Sequence, residues 1–264
     1  MLEKTAYLLV YHGSRDPRPQ QEMDRLAKEI QTQLAEECFV SAQQGIRTAV
    51  LTKPPEPLVY TAALELAPQP LERAIAQLSQ QLAPKGITEL QILPLFLLPG
   101  VHVREDIPEA VKLAQQAVGT DMRITLKPYL GQSPLMAKKL QTAFSDATYS
   151  AKIIISHGSR RPGGNQPLET LAQQVGVKPA YWSVSPTLTE QVAGLVEAGT
   201  SVIEIMPYFL FPGGITDAIA QEVQTLKAQF PRVQLQLGPP LSRHLSLADL
   251  ITKDMIYDPS KNPW

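Results

Sequence analysis

The chain has a single cysteine, Cys38, in 264 residues. One thiol excludes an internal disulfide and any thiolate cluster drawn from within the chain, and it suits a reducing, cytosolic setting. Excess charge is also lacking. Lys and Arg number 24 against 25 Asp and Glu, a formal net charge of −1, so no global field draws the chain to nucleic acid or to an anionic membrane. An anionic ligand must be held by Arg or Lys placed locally. Long apolar runs are missing too. The run in MLEKTAYLLVYHGS covers about six residues, too short for the apolar region of a secretion signal and far too short to span a bilayer, and no later stretch is long enough. What remains is ordinary for a globular chain: 44% hydrophobic and 19% charged residues, with 24 prolines spread between elements. The length fits one large α/β domain or two of ordinary size, and it needs no disulfide or metal to fold.

An internal repeat organises these residues. Residues 7–15, YLLVYHGSR, are echoed by residues 152–160, KIIISHGSR. Residues 93–100, LPLFLLPG, are echoed by residues 206–213, MPYFLFPG, and each is followed by an aspartate, Asp106 or Asp217. Two echoes in the same order indicate a duplicated domain dividing near Ala147–Ser150, into lobes 1–147 and 148–264.

Each half alternates strand and helix. Leu8–Tyr11 reads as a buried strand, and Met23, Leu26, Ala27, Ile30 and Leu34 form one apolar helix face. Strands are expected at Val59–Ala63, Glu89–Leu93 and Arg123–Leu126, with helices opening at Pro68 or Pro70, running Ile107–Val118, and starting near Ser133–Pro134. The second half predicts strands at 152–156, 180–184, 202–206 and 233–237, with helices near 167–175, 187–198, 217–229 and 245–256. Short strands alternating with helices predict an α/β fold of two duplicated lobes, each a parallel, doubly wound sheet with flanking helices. Residues 38–57 carry no readable pattern and are expected to form a flap or substrate-facing loop.

In such sheets ligands bind beyond the carboxyl ends of the strands. The polar residues expected there are His12, Ser14 and Arg15 after the first strand, Glu65 after the second, and His102, Arg104, Glu105 and Asp106 after the third. Two imidazoles and a carboxylate from three strand ends are a sensible ligand set for a first-row divalent metal with open coordination positions. Each residue also has a plainer reading. His12 could be a buried histidine bonded to backbone, His102 an exposed loop residue, and Glu65 a solvated carboxylate near a helix start. Arg15 and Arg104 could be surface charges. His244 has no evident partner and reads as structural, and Cys38 as a small hydrophobe.

The repeat weighs these readings. His157 matches His12, but aligning Pro68 with Pro186 sets Ser183 opposite Glu65. Gly213-Gly214-Ile215 stands against Val101-His102, two residues shorter before its Asp, with no histidine. Residues needed only for folding would recur in both copies. The difference implies an active first lobe and a degenerate second one, with His157 structural.

The segments YHGSRDPR, LELAPQPLERAI and ILPLFLLPGVHVREDIP resemble the sirohydrochlorin chelatases of the CbiX/SirB type, class II tetrapyrrole chelatases that need no ATP. The resemblance extends over essentially the whole chain, as in the long form made of two fused copies. It implies two similar α/β lobes, related to protoporphyrin ferrochelatase, with His12 and His102 binding the incoming metal and Glu65 assisting. It also implies insertion of Fe²⁺ or Co²⁺ into sirohydrochlorin, for siroheme or cobalamin biosynthesis, by a cytoplasmic lyase. The metal is then a substrate, no cofactor is permanently bound, and neither nucleic acid nor membrane is a partner. Two fused lobes make a monomer sufficient.

These residues suit such a reaction. The ion must shed water and two pyrrole N–H protons must leave. Neutral imidazoles can hold the metal with open sites toward the macrocycle, and a histidine or Glu65 can take the protons. Protonated imidazole binds no metal, so histidine ligation predicts activity that falls as pH drops through roughly 6–7. Arg15, Arg104, Lys53 or Arg47 could clamp the substrate carboxylates, with Ser14 donating another bond. A tetrapyrrole or metal carrier without turnover is the main alternative. A histidine phosphotransfer enzyme typically has Arg before its His-Gly, where this chain has Tyr11.

Overall fold

The computed structural model describes residues 5–44, 58–120, 122–144 and 148–256, with 37–44, 254 and 255 described by backbone alone. β1 (Thr5–Tyr11) is buried at every position, as a strand covered on both faces must be. It pairs in parallel with β2 (Val59–Ala63) on one side and β3 (Glu89–Pro94) on the other, and β3 pairs with β4 (Arg123–Leu126). The order is β2-β1-β3-β4. Three helices connect these strands: α1 (Pro17–Gln44), α2 (Leu71–Leu82) and α3 (Ile107–Val118). Side chains alternate across β1. Ala6, Leu8 and Val10 share a core with Leu71 and Ile75 of α2 and Ile107, Ala110 and Ala114 of α3. The stripe Met23, Leu26, Ile30 and Leu34 on α1 is buried as its helical spacing predicts.

The second half repeats the plan. After α4 (Pro134–Ala143) come β5 (Ala151–Ser156), α5 (Gln166–Val175), β6 (Lys178–Tyr181), α6 (Leu188–Glu197), β7 (Val202–Pro207), α7 (Gly214–Gln229) and β8 (Gln234–Leu237). Its sheet is parallel, ordered β6-β5-β7-β8. Ile153 and Ile155 pack with Leu188 and Val192 of α6 and Ile219 and Val223 of α7. The chain closes with α8 (Leu241–His244), α9 (Leu247–Leu250) and a π-helical segment, Ile251–Ile256.

By contact the chain forms two compact units. One comprises Met1–Phe96, Gly100–Ser133 and Leu247–Trp264, the other Leu97–Pro99 and Pro134–Ser246. In the first, Gln33 on α1 donates to Asp249 at 3.0 Å and accepts from Thr252 at 2.9 Å. In the second, Gln141 on α4 donates to the carbonyl of Gln174 at 3.1 Å.

Several sequence expectations change. The segment beginning at 38 does not start as a loop, since α1 continues to Gln44, while 45–57, with Arg47 and Lys53, lies outside the described residues. The strand expected at 180–184 runs Lys178–Tyr181, because Pro179 is accepted in this edge strand. The helix expected from 217 opens three residues earlier at Gly214, where Gly213 N–H donates to the Thr216 hydroxyl. The helix expected over 245–256 starts two residues later, at Leu247, because Leu245 is extended, and it passes from α to π-helical geometry at Ile251.

The strand order places a switch at β1. α1 leads from β1 to β2 on one side, and α2 returns from β2 to β3 on the other. The crevice of such a sheet lies beyond the carboxyl ends of β1 and β3, where His12 and the segment to His102 emerge.

Candidate metal site

The backbone brings His12 and Glu65 side by side. The β1–β2 pairing continues past both strands: Leu64 N–H donates to Tyr11 O at 2.8 Å and Glu65 N–H to His12 O at 2.9 Å. Gly13 permits the approach. Its φ is +94°, and a Cβ there would stand 2.0 Å from the Glu65 carbonyl oxygen. Only glycine meets both demands.

His102 arrives from β3. Leu95 N–H still donates to Val10 O at 2.7 Å before the chain leaves the sheet. His102 is not in a loop, as expected from sequence, but opens a π-helical turn, His102–Asp106, that runs into α3. Ile107 N–H bonds the His102 carbonyl five residues back. Single π turns of this kind are rare in helices and are frequent at functional sites.

Three ligand atoms, one each from His12, Glu65 and His102, lie within 4.8 Å of one another. Glu65 presents one oxygen to each imidazole: Oε2 is 3.9 Å from His12 Nε2, and Oε1 is 3.7 Å from His102 Nε2. These separations exceed hydrogen-bond reach. They approach the spacing of about 3–3.5 Å that two ligand atoms take when each sits about 2.1 Å from one tetrahedral metal. The rings of His12 and His102 meet edge to face at 5.0 Å, with the Phe96 ring 6.5 Å and 6.1 Å from them.

The other ring nitrogens set the tautomers. His102 Nδ1–H donates to Asp106 Oδ2 at 2.7 Å, and His12 Nδ1–H donates to the Gly13 carbonyl at 3.2 Å. Both assignments leave the Nε2 lone pairs directed at the Glu65 side, the arrangement metal-binding histidines use. Asp106 was legible in the sequence only as a strand-end carboxylate. Its i,i+4 relation to His102 carries meaning only once 102–106 is helical.

Of the other expected residues, Ser14 accepts a bond from Asp16 N–H at 3.0 Å, shaping the turn into α1. Arg15 and Arg104 are exposed. Neither makes an ion pair among the described residues, whereas Arg18 is held by Asp16 at 2.5 Å. Arg104 lies near Tyr129, at the carboxyl end of β4. Burial pushes the Tyr129 phenol up, and the Arg104 guanidinium pulls the other way.

The second half keeps the frame and one of the three side chains, His157. Trp182 N–H donates to Ser156 O at 2.8 Å and Ser183 N–H to His157 O at 2.9 Å, so Ser183 stands where Glu65 stands. Its hydroxyl returns to the His157 carbonyl at 2.8 Å. His157 Nδ1–H bonds the Gly158 carbonyl at 3.0 Å, as His12 bonds Gly13. Among the described residues the one group of three or more metal-ligating side chains is His12, Glu65 and His102.

Known proteins share this plan. A sirohydrochlorin cobaltochelatase of Priestia megaterium is 24% identical, over 92% of this chain and 76% of its own. A sirohydrochlorin ferrochelatase of Bacillus subtilis strain 168 is 27% identical, over 88% of this chain and 84% of its own. The structure of SirB from Bacillus subtilis with Fe³⁺ superposes with a TM-score of 0.69 at 25% identity, over 94% of this chain and 93% of that one. The CbiX family model matches residues 6–147 and again 151–256. With both sheets, both copies of the repeat and the histidine-bearing strand ends inside those matches, the chain belongs to the CbiX family.

Proposed function

We propose that this protein is an ATP-independent chelatase, a lyase that inserts Fe²⁺ or Co²⁺ into sirohydrochlorin, in siroheme or cobalamin biosynthesis. The observation that carries the reading is the convergence of His12, Glu65 and His102 within 4.8 Å at the switch point of a CbiX-family sheet. The metal is a substrate, held by two imidazole nitrogens and a carboxylate oxygen. Such a set neutralises only part of the ion's charge and leaves coordination positions open to the pyrrole nitrogens. As the metal moves to the ring, the freed imidazoles and Glu65 accept the two pyrrole protons. Arg15 and Arg104 pair with the carboxylates of the macrocycle, and Ser14 donates a further bond.

The first lobe, 1–147, carries the activity, and the second, 148–264, is a degenerate copy. The frame around His157 supports this: Ser183 replaces the carboxylate, and Ile215 stands where the first lobe has His102. The protein works as a cytoplasmic monomer with no permanently bound cofactor. Among the described residues no helix is long and apolar enough to cross a membrane.

The test is anaerobic absorbance of sirohydrochlorin with Fe²⁺ and with Co²⁺. Turnover beyond one metal per chain is expected with at least one ion. A spectral change that stops at one equivalent would make the protein a carrier, and a rate no faster than the spontaneous one would remove the reading.

A further inference from the structure

We infer that Leu66 is the apolar seat on which the flat face of the macrocycle lies, an inference that rests on the metal-insertion reading. Leu66 follows Glu65 directly and combines two unfavourable features. Its φ is +56°, and among the described residues no other non-glycine has a positive φ. Its relative exposure is 61%, above that of Leu113 or Trp182, the other exposed large apolar residues described. A left-handed leucine is strained, and such strain gathers at binding sites. An exposed leucine gives up its share of the core. Neither feature benefits the fold.

The second copy shows that the frame does not impose this posture. Val184 is the equivalent residue, since Ser183 and Glu65 make the same backbone bond to their histidines. Val184 is partly buried, and its Cγ2 packs so close to Gly158 that a Cβ there would meet it at 2.8 Å. At the same place in the first copy Gly13 faces the Glu65 carbonyl instead, and Leu66 stands in solvent. The copy with three ligands turns its apolar residue out, and the copy without them tucks it in.

Geometry supplies the occupant. A tetrapyrrole that offers its central nitrogens to a metal on His12, Glu65 and His102 must lay its ring plane over the triad. The residue next to Glu65 then falls under the pyrrole faces, the apolar part of a molecule whose charges lie at its rim. Burying a leucine side chain against that face strengthens binding of the macrocycle and leaves metal binding untouched.

The experiment titrates metal-free sirohydrochlorin into the wild-type protein and into Leu66→Ala, Leu66→Gly and Leu66→Met. Co²⁺ affinity is measured by visible absorption, and turnover in parallel. Leu66→Ala and Leu66→Gly are expected to weaken macrocycle binding and raise its KM about tenfold, with Co²⁺ affinity unchanged. Leu66→Gly, relieved of strain, should unfold no earlier than wild type, and Leu66→Met should recover most of the binding. Wild-type affinity in both truncated variants would overturn the inference. So would an equal loss of Co²⁺ affinity, which would mean that Leu66 only positions Glu65. A wild-type protein that neither binds nor metallates sirohydrochlorin would overturn the proposed function and this inference with it.

Discussion

Gly13 decides whether a carboxylate can stand beside His12. In Gly13→Ala the new methyl would lie 2.0 Å from the Glu65 carbonyl on a backbone with φ +94°, so the β2 end must withdraw. We expect a stability loss of about 1–3 kcal/mol from strain and displacement and Co²⁺ affinity down at least about tenfold, read by thermal unfolding and Co²⁺ titration. Unchanged Co²⁺ binding would contradict the geometry. Asp106 holds His102 through Nδ1 at 2.7 Å. Asp106→Ala should lower metal affinity by about 10–100-fold, and Asp106→Asn, whose amide oxygen still accepts the bond, should lose less. Equal affinities in all three proteins would show that the bond orients nothing. The convergence of His12, Glu65 and His102 is readable from sequence because each follows a strand end, and strand ends are marked by apolar runs. The role of Asp106 is not, because a loop reading of 102–106 gives the spacing His102 to Asp106 no direction.

Elements reveal the same limit in another form. β2, β4 and α3 have the bounds expected from alternation of apolar runs with turns. α1 continues to Gln44 because nothing between Met23 and Gly45 breaks a helix. The first copy has two more residues than the second between its Pro-Gly and its aspartate, and its helix entry carries the π turn, which periodicity does not show. The helical run from Leu247 to Ile256 follows from its apolar residues, Leu247, Leu250 and Ile251, which are buried in the segment that packs on α1. Gln33 ties that segment to α1 with two side-chain bonds. Gln33→Ala should cost about 1–2 kcal/mol of stability, measured by chemical denaturation. A cost near zero would mean that packing alone holds the segment.

For the whole molecule, pH and duplication are the tests. Burial holds the His244 imidazole below its ordinary value of 6.5. The native state then binds fewer protons than the unfolded chain, so this contribution to stability is present above about pH 6.5 and is lost as pH falls below it. His244→Gln should flatten thermal stability between pH 5 and 7 relative to wild type, and an unchanged slope would place the acid sensitivity elsewhere. Duplication gave the chain two copies of one frame, and the chemistry is proposed for the first alone. The direct test is anaerobic turnover of sirohydrochlorin with Fe²⁺ and Co²⁺ in His102→Ala and His157→Ala. Activity lost in His102→Ala and kept in His157→Ala is the predicted result; equal loss in both would contradict the account, because it would put the second copy at the reacting centre.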